Sequence, residues 1–173
     1  MNSNPLLKTA VNFGAMSGLG SFAVFLGLFY KGINPLGNAS WLGAWIPVVF
    51  ICIATKIYRD HFLAGEISYA QAMKIGLTTA LAASFLFALL VYIFTTLIDD
   101  NVISMYKNEF LQGMEETKFM FSDEMYDQTI ANMDKVTIIN IAFTDFLAKM
   151  FGALLVTLIT AAFYRKQNTG LAG

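Results

Sequence analysis

The sequence predicts an all-α integral membrane protein: four transmembrane helices, with an extracytoplasmic helical hairpin between the third and the fourth. Three observations lead there. The 173 residues are 57% hydrophobic and only 13% charged, with a mean hydropathy of +0.59, outside the range of an ordinary soluble domain. Four stretches, 13–30, 39–57, 75–98 and 146–164, are apolar over close to the roughly 20 residues that a helix needs to cross a bilayer core. Between the last two, residues 99–135 turn polar and acidic while keeping a helical spacing of apolar positions.

The length fits one membrane domain over residues 1–173. A net charge of −1 gives no electrostatic basis for binding nucleic acid. Cys52 is the one cysteine and His61 the one histidine, which excludes an internal disulfide and any multi-cysteine or multi-histidine metal site. Gly-rich phosphate loops and G-x-S-x-G elbows are absent. No catalytic, cofactor-binding or metal residue is therefore expected, and the chain reads as no enzyme.

The first span has only Lys8 ahead of it and meets Tyr30 and Lys31 where a small-residue cleavage site would lie, so it is expected to stay uncleaved. Ala10, Gly14 and Gly18 recur every four residues along it, with Ser17 and Ser21 alongside. Such small residues let helix backbones approach closely, which matters in lipid because burial of apolar surface drives no association there. Pro47 lies inside the second span and is expected to kink it. Gly76, Ala80, Ser84 and Ala88 form the small stripe of the third span, and Gly152, Ala153, Thr157, Thr160 and Ala161 that of the fourth. These stripes suit packing within the chain, or a homo-oligomer.

In the hairpin, Ile103, Tyr106, Phe110 and Met114 give the first arm one apolar stripe, with Gly113 as its weak point. Ser122 before Asp123 and Glu124 reads as the N-cap of the second arm. Neither Gly nor Pro stands between Ser122 and Phe151, so that arm is expected to continue unbroken into the fourth span.

Lysine and arginine set orientation. Lys8, then Lys56, Arg59 and Lys74, then Arg165 and Lys166 fall at one end, against Lys31 in the short loop at the other. The segment 99–135 has nine acids against Lys107, Lys118 and Lys135. Both termini are thus expected in the cytoplasm and the hairpin outside, with lipid as the surrounding partner.

One pair of charges stands inside an apolar run: Asp145 and Lys149 in TDFLAKMFGALL. Charges at membrane depth commonly mark ion or proton pathways. If Tyr164 marks the inner boundary, Lys149 is about 22 Å away along the helix, within roughly 8 Å of the outer edge of the core, and its side chain can snorkel that far. The acid-before-base spacing also favours the helix itself. The expectation is an interfacial pair that positions the helix, with a polar contact to another span or an ion route as alternatives.

IYRDHFLAGEISYAQAMKIGL, residues 57–77, carries the chain's most distinctive motif. It resembles the signature of a bacterial multi-pass membrane family, domain of unknown function 4199. Tyr58, Arg59 and Asp60 are similar to that family's Y-R-D turn. Gly65, Ile67, Ser68, Tyr69, Ala72, Lys74, Gly76 and Leu77 are similar to its G-x-I-S-[FY]-x-x-A-x-K-x-G-L run. SMYKNEFLQGMEE resembles its acidic outer helix, and LLVTLITAAFYRK its closing span. One departure is the lack of a proline just before the last span.

The resemblance implies a bacterial inner-membrane protein and brings no activity, cofactor or catalytic residue. It draws attention to the turn, where Gly65 suits a tight bend, Ser68 with Gln71 suits a capping box, and Lys74 suits anionic headgroups. Tyr58, Arg59, Asp60, Gly65, Ser68, Tyr69 and Lys74 are accordingly the candidate partner-docking residues. Sparse polar groups in the spans favour a non-catalytic accessory or scaffold subunit of a larger membrane complex. The resemblance implies one alternative, a membrane partner of a lipid-linked glycosyltransferase, since relatives of the family are encoded beside such enzymes. A small oligomeric transporter is the other.

Overall fold

The computed structural model describes residues 4–165 and is helical throughout, with no strand among those residues. Lys166, one of the cations used for orientation, lies outside them. The elements are α1 (Pro5–Tyr30), α2 (Trp41–Phe62), α3 (Tyr69–Leu97), α4 (Asn101–Glu116), α5 (Asp123–Asp134) and α6 (Ile138–Tyr164), with short 3₁₀ turns at Asn38–Ser40 and Lys118–Met120. Four of them, α1, α2, α3 and α6, are long and apolar enough to cross a membrane.

These four match the expected spans; α1, α3 and α6 begin earlier, while α2 begins two residues later than expected and runs on to Phe62. The Asn4 side chain accepts from the Leu6 N–H, and Pro5 takes the first helical position, where a missing N–H costs nothing. Ser68 and Gln71 close a reciprocal capping box that starts α3 at Tyr69. α2 runs on through Pro47 and α4 through Gly113.

The second hairpin arm does not continue into the last span, contrary to the sequence expectation. α5 stops at Asp134, where the Lys135 N–H turns back to the Asn132 and Met133 carbonyls. Thr137 is extended, and its N–H and hydroxyl both donate to Asn140 Oδ1, at 3.1 and 2.6 Å, so a fresh helix begins at Ile138. The local side-chain bonds outcompete continuation of the helix even without glycine or proline. The break also lets Ile138 turn into a core cluster with Phe25, Phe87, Val91, Phe94 and Val102.

α3 is the central helix, packed against α1, α2 and α6. Its core has three levels. Ala10, Ala54, Ile67, Ala72, Ile75 and Ala161 form one end, with Leu6, Leu63 and Tyr164 around them. Ile51, Ala80 and Ala153 lie midway. The other end is aromatic: Phe94 meets Phe22, Phe25 and Phe29 edge-on, with ring centroids 5.1 to 6.2 Å apart. The described chain ends and the α2–α3 turn therefore share one end of the bundle. The 31–40 loop and the α4–α5 hairpin share the opposite end.

The small-residue stripes are the packing faces. Ala10, Ser17, Ser21, Ala80, Ser84, Ala153, Thr157, Thr160 and Ala161 are all buried. At Gly76 a Cβ would come within 2.6 Å of Thr157 Cγ2, so α3 and α6 touch there at a distance only glycine allows. Gly152 departs from the expectation: it is exposed, with nothing within 4 Å of where its Cβ would be. Buried hydroxyls are partly absorbed by their own helices, Thr55 donating to the Ile51 carbonyl and Thr79 to the Ile75 carbonyl, both at 2.8 Å.

Candidate functional site

Asp145 and Lys149 form the expected i,i+4 ion pair, Lys149 Nζ donating to Asp145 Oδ1. The direction of the lysine is not the one expected. Its ammonium lies 4.2 Å above the centre of the Phe87 ring on α3, and the two side chains are only 23% and 18% exposed. The reason is helical phase. Positions 145, 149, 153 and 157 recur every four residues, so the pair shares the stripe of Ala153 and Thr157 that packs into the bundle. Lys149 borders a crevice of about 20 Å³, room for about one water, with Ser21 and Phe25 of α1, Pro35 and Ser40 of the loop, and Gly43 of α2. Asp145 Oδ2 is buried with no hydrogen-bond partner. A charged pair is thus set among four helices near the hairpin end, held by one ion pair and one aromatic face.

A second polar arrangement, which the sequence reading missed, ties the hairpin to the bundle. Glu109 of α4 accepts from Asn34 Nδ2 through one oxygen and from the Asn38 N–H through the other, both at 2.7 Å. Asn34 in turn accepts from the Leu36 N–H at 3.1 Å, fixing the loop that it clasps. Gly37 makes room for this, because a Cβ there would overlap the Glu109 carboxylate and the Asn34 amide. An open groove of about 410 Å³ lies beside the clasp, between Leu36 and Gly37 on one side and Tyr106, Phe110 and Met114 on the other. Glu109 lies off the apolar stripe of Ile103, Tyr106, Phe110 and Met114, so the spacing of α4 gives no sign of the clasp.

The hairpin arms hold each other through Lys107 Nζ donating to the Asp134 carbonyl at 2.9 Å and the Tyr126 hydroxyl donating to Glu115 at 2.6 Å. The bond to Glu115 raises the Tyr126 pKa above the ordinary phenol value, since ionisation would remove the donor. Beyond these bonds the tip leaves Phe119 85% and Met120 70% exposed.

At the opposite end, the candidate docking residues divide. Arg59 Nε donates to Asp60 Oδ1 at 2.7 Å, and its guanidinium lies 5.3 Å from the Tyr164 ring centre. Tyr58 packs onto the core and beside Phe62. Gly65 has φ +86°, after Ala64 at +50°, and its N–H returns to the Arg59 carbonyl. Ser68 is spent in its capping box. Tyr58, Arg59, Gly65 and Ser68 thus build the turn, while Asp60, Tyr69 and Lys74 face outward. Among the described residues no group of three His, Cys, Asp or Glu side chains is placed to hold a metal.

A bundle of four long apolar helices, closed by small-residue contacts and carrying a polar hairpin at one end, is the architecture of a multi-pass membrane protein. The family model described as a protein of unknown function, DUF4199, matches residues 12–166, and the chain belongs to that family. No curated protein and no solved structure matches it.

Proposed function

We propose that this chain is a non-catalytic accessory or scaffold subunit of a larger membrane assembly in a bacterial inner membrane. In this reading both chain ends and the 59–74 turn are cytoplasmic, and the hairpin is outside. One observation carries it: several charged groups are paired within the chain while an apolar surface is left uncovered at the hairpin tip. Arg59 is held by Asp60, Glu109 by the 31–40 loop and Lys149 by Asp145, whereas Phe119 and Met120 project without cover. The concentration of Lys8, Lys56, Arg59 and Lys74 at the chain-end side supports the orientation.

Purification of the natively expressed chain in mild detergent tests the reading. Stoichiometric foreign subunits are expected, and a pure monomer or homo-oligomer would overturn it. A second reading, a small oligomeric transporter, is favoured by the placement of Lys149, paired with Asp145, at a crevice lined by α1, α2, α3 and α6. It requires activity to vanish when that pair is neutralised.

A further inference from the structure

The hairpin tip is a compact surface of mixed character. Thr117 ends α4, the 3₁₀ turn Lys118–Met120 carries the chain over, and Ser122 caps α5 by accepting from the Met125 N–H. This tight turn leaves large apolar side chains in the open: Phe119 is 85%, Met120 70%, Met125 56% and Phe121 37% exposed. Phe and Met are enriched in the residues of protein interfaces relative to the rest of a protein surface. Around the patch stand Glu115, Glu116, Asp123, Glu124 and Asp127, all exposed. The nearest cation, Lys118, lies over the Tyr126 ring at 4.8 Å.

We propose, resting on the accessory-subunit reading, that Phe119 and Met120 dock into an apolar pocket of a partner protein whose rim is lysine- and arginine-rich. The carboxylates decide the occupant. They would repel the anionic surface of a lipid bilayer, and they would equally repel the same acidic tip on a second copy of this chain. A basic rim turns the same charges into attraction that steers encounter and fixes register, while the two projecting side chains supply the buried anchors.

The test places a photo-crosslinking residue at Phe119 in the full chain, expressed at native level in its own membrane, with the same residue at exposed Asn132 as the control. The expected result is a discrete adduct from position 119 alone, whose mapped partner peptide lies beside lysines or arginines. Charge reversal of Glu116 and Asp127 to lysine, which leaves the Tyr126–Glu115 bond and the acidic first turn of α5 in place, should reduce that adduct by at least about tenfold while helix content is unchanged. A Phe119 probe that labels lipid, labels a second copy of the chain, labels nothing above the Asn132 control, or labels a partner regardless of charge reversal overturns the proposal. Retention of co-purifying subunits by a Phe119→Ser, Met120→Ser variant would also overturn it, and would leave the accessory-subunit reading standing.

Discussion

The ammonium of Lys149 stands 4.2 Å above the ring centre of Phe87, so α6 is tied to α3 by a charge on an aromatic face as well as by the contact at Gly76. Cation–π contacts of this kind contribute about 0.5–2 kcal/mol, more as water is excluded. The same ammonium neutralises Asp145, and each partner therefore protects the other from standing as a lone, half-buried charge.

A double-mutant cycle follows from that arrangement. Asp145→Asn and Lys149→Gln should each lower stability by about 1–2 kcal/mol, discounted from the cost of breaking a fully buried pair because both groups keep some exposure. The double variant should lose clearly less than the sum, because neither charge is then left alone. Thermal unfolding in detergent measures this, and strict additivity would remove the pair as a coupled unit. Partner recovery should survive the double substitution. Its complete loss at normal protein amount would make the pair itself part of the partner contact.

Ala80 and Leu81 are neighbours in sequence with opposite surroundings, 1% and 50% exposed. Ala80→Leu forces a larger side chain into a close helix contact and should cost about 1–3 kcal/mol. Leu81→Ala trims a surface that lipid refills and should cost far less. Equal melting temperatures for the wild type and Ala80→Leu would show that this stripe is not a tight interface.

The difference between those two neighbours was readable from sequence, because a small-residue stripe every four positions marks a helix-packing face in lipid. The four spans were legible for the same reason: length and hydropathy alone define them. What escaped the reading depended on relations between stripes or on distant partners. The inward turn of Lys149 follows from its phase with Ala153 and Thr157, yet the charge drew attention to the headgroups instead. The break at Thr137 is written in a Thr-x-x-Asn box that lacks the usual Glu or Gln. Gly152 looked like part of the packing face only because it adjoins Ala153. The clasp of Glu109 joins residues separated by 75 positions, and no local pattern reports a contact of that range.

Orientation is open to a direct experiment in a Cys52→Ser background. With the hairpin outside, Glu115→Cys should react with an impermeant maleimide in intact cells. Lys74→Cys should react only after the membrane is opened. Both residues are exposed, so labelling reports sidedness and not burial. The reverse pattern would invert the topology inferred from the lysine and arginine distribution.

The clasp gives the last prediction. Glu109 offers one oxygen to the Asn34 amide and the other to the Asn38 N–H, and bonds to an ionised acceptor are about twice as strong as neutral ones. Glu109→Gln removes the charge and necessarily turns an NH₂ donor toward one of two groups that are themselves donors. With the partial exposure of the site, the loss should be about 1 kcal/mol or slightly more, which corresponds to a rise of roughly five- to tenfold in local opening. Gly37→Ala should act more strongly, because its Cβ would displace the carboxylate and the Asn34 amide together. Amide exchange at Asn38 reads the outcome, since that N–H is itself a clasp donor. Faster exchange confined to the 31–40 loop, with α1 and α3 unchanged, is expected for both variants. If Asn38 exchanged at the wild-type rate in Glu109→Gln, the carboxylate would not be what fastens the hairpin to the bundle, and the close approach at Gly37 would have to arise from packing of α4 alone.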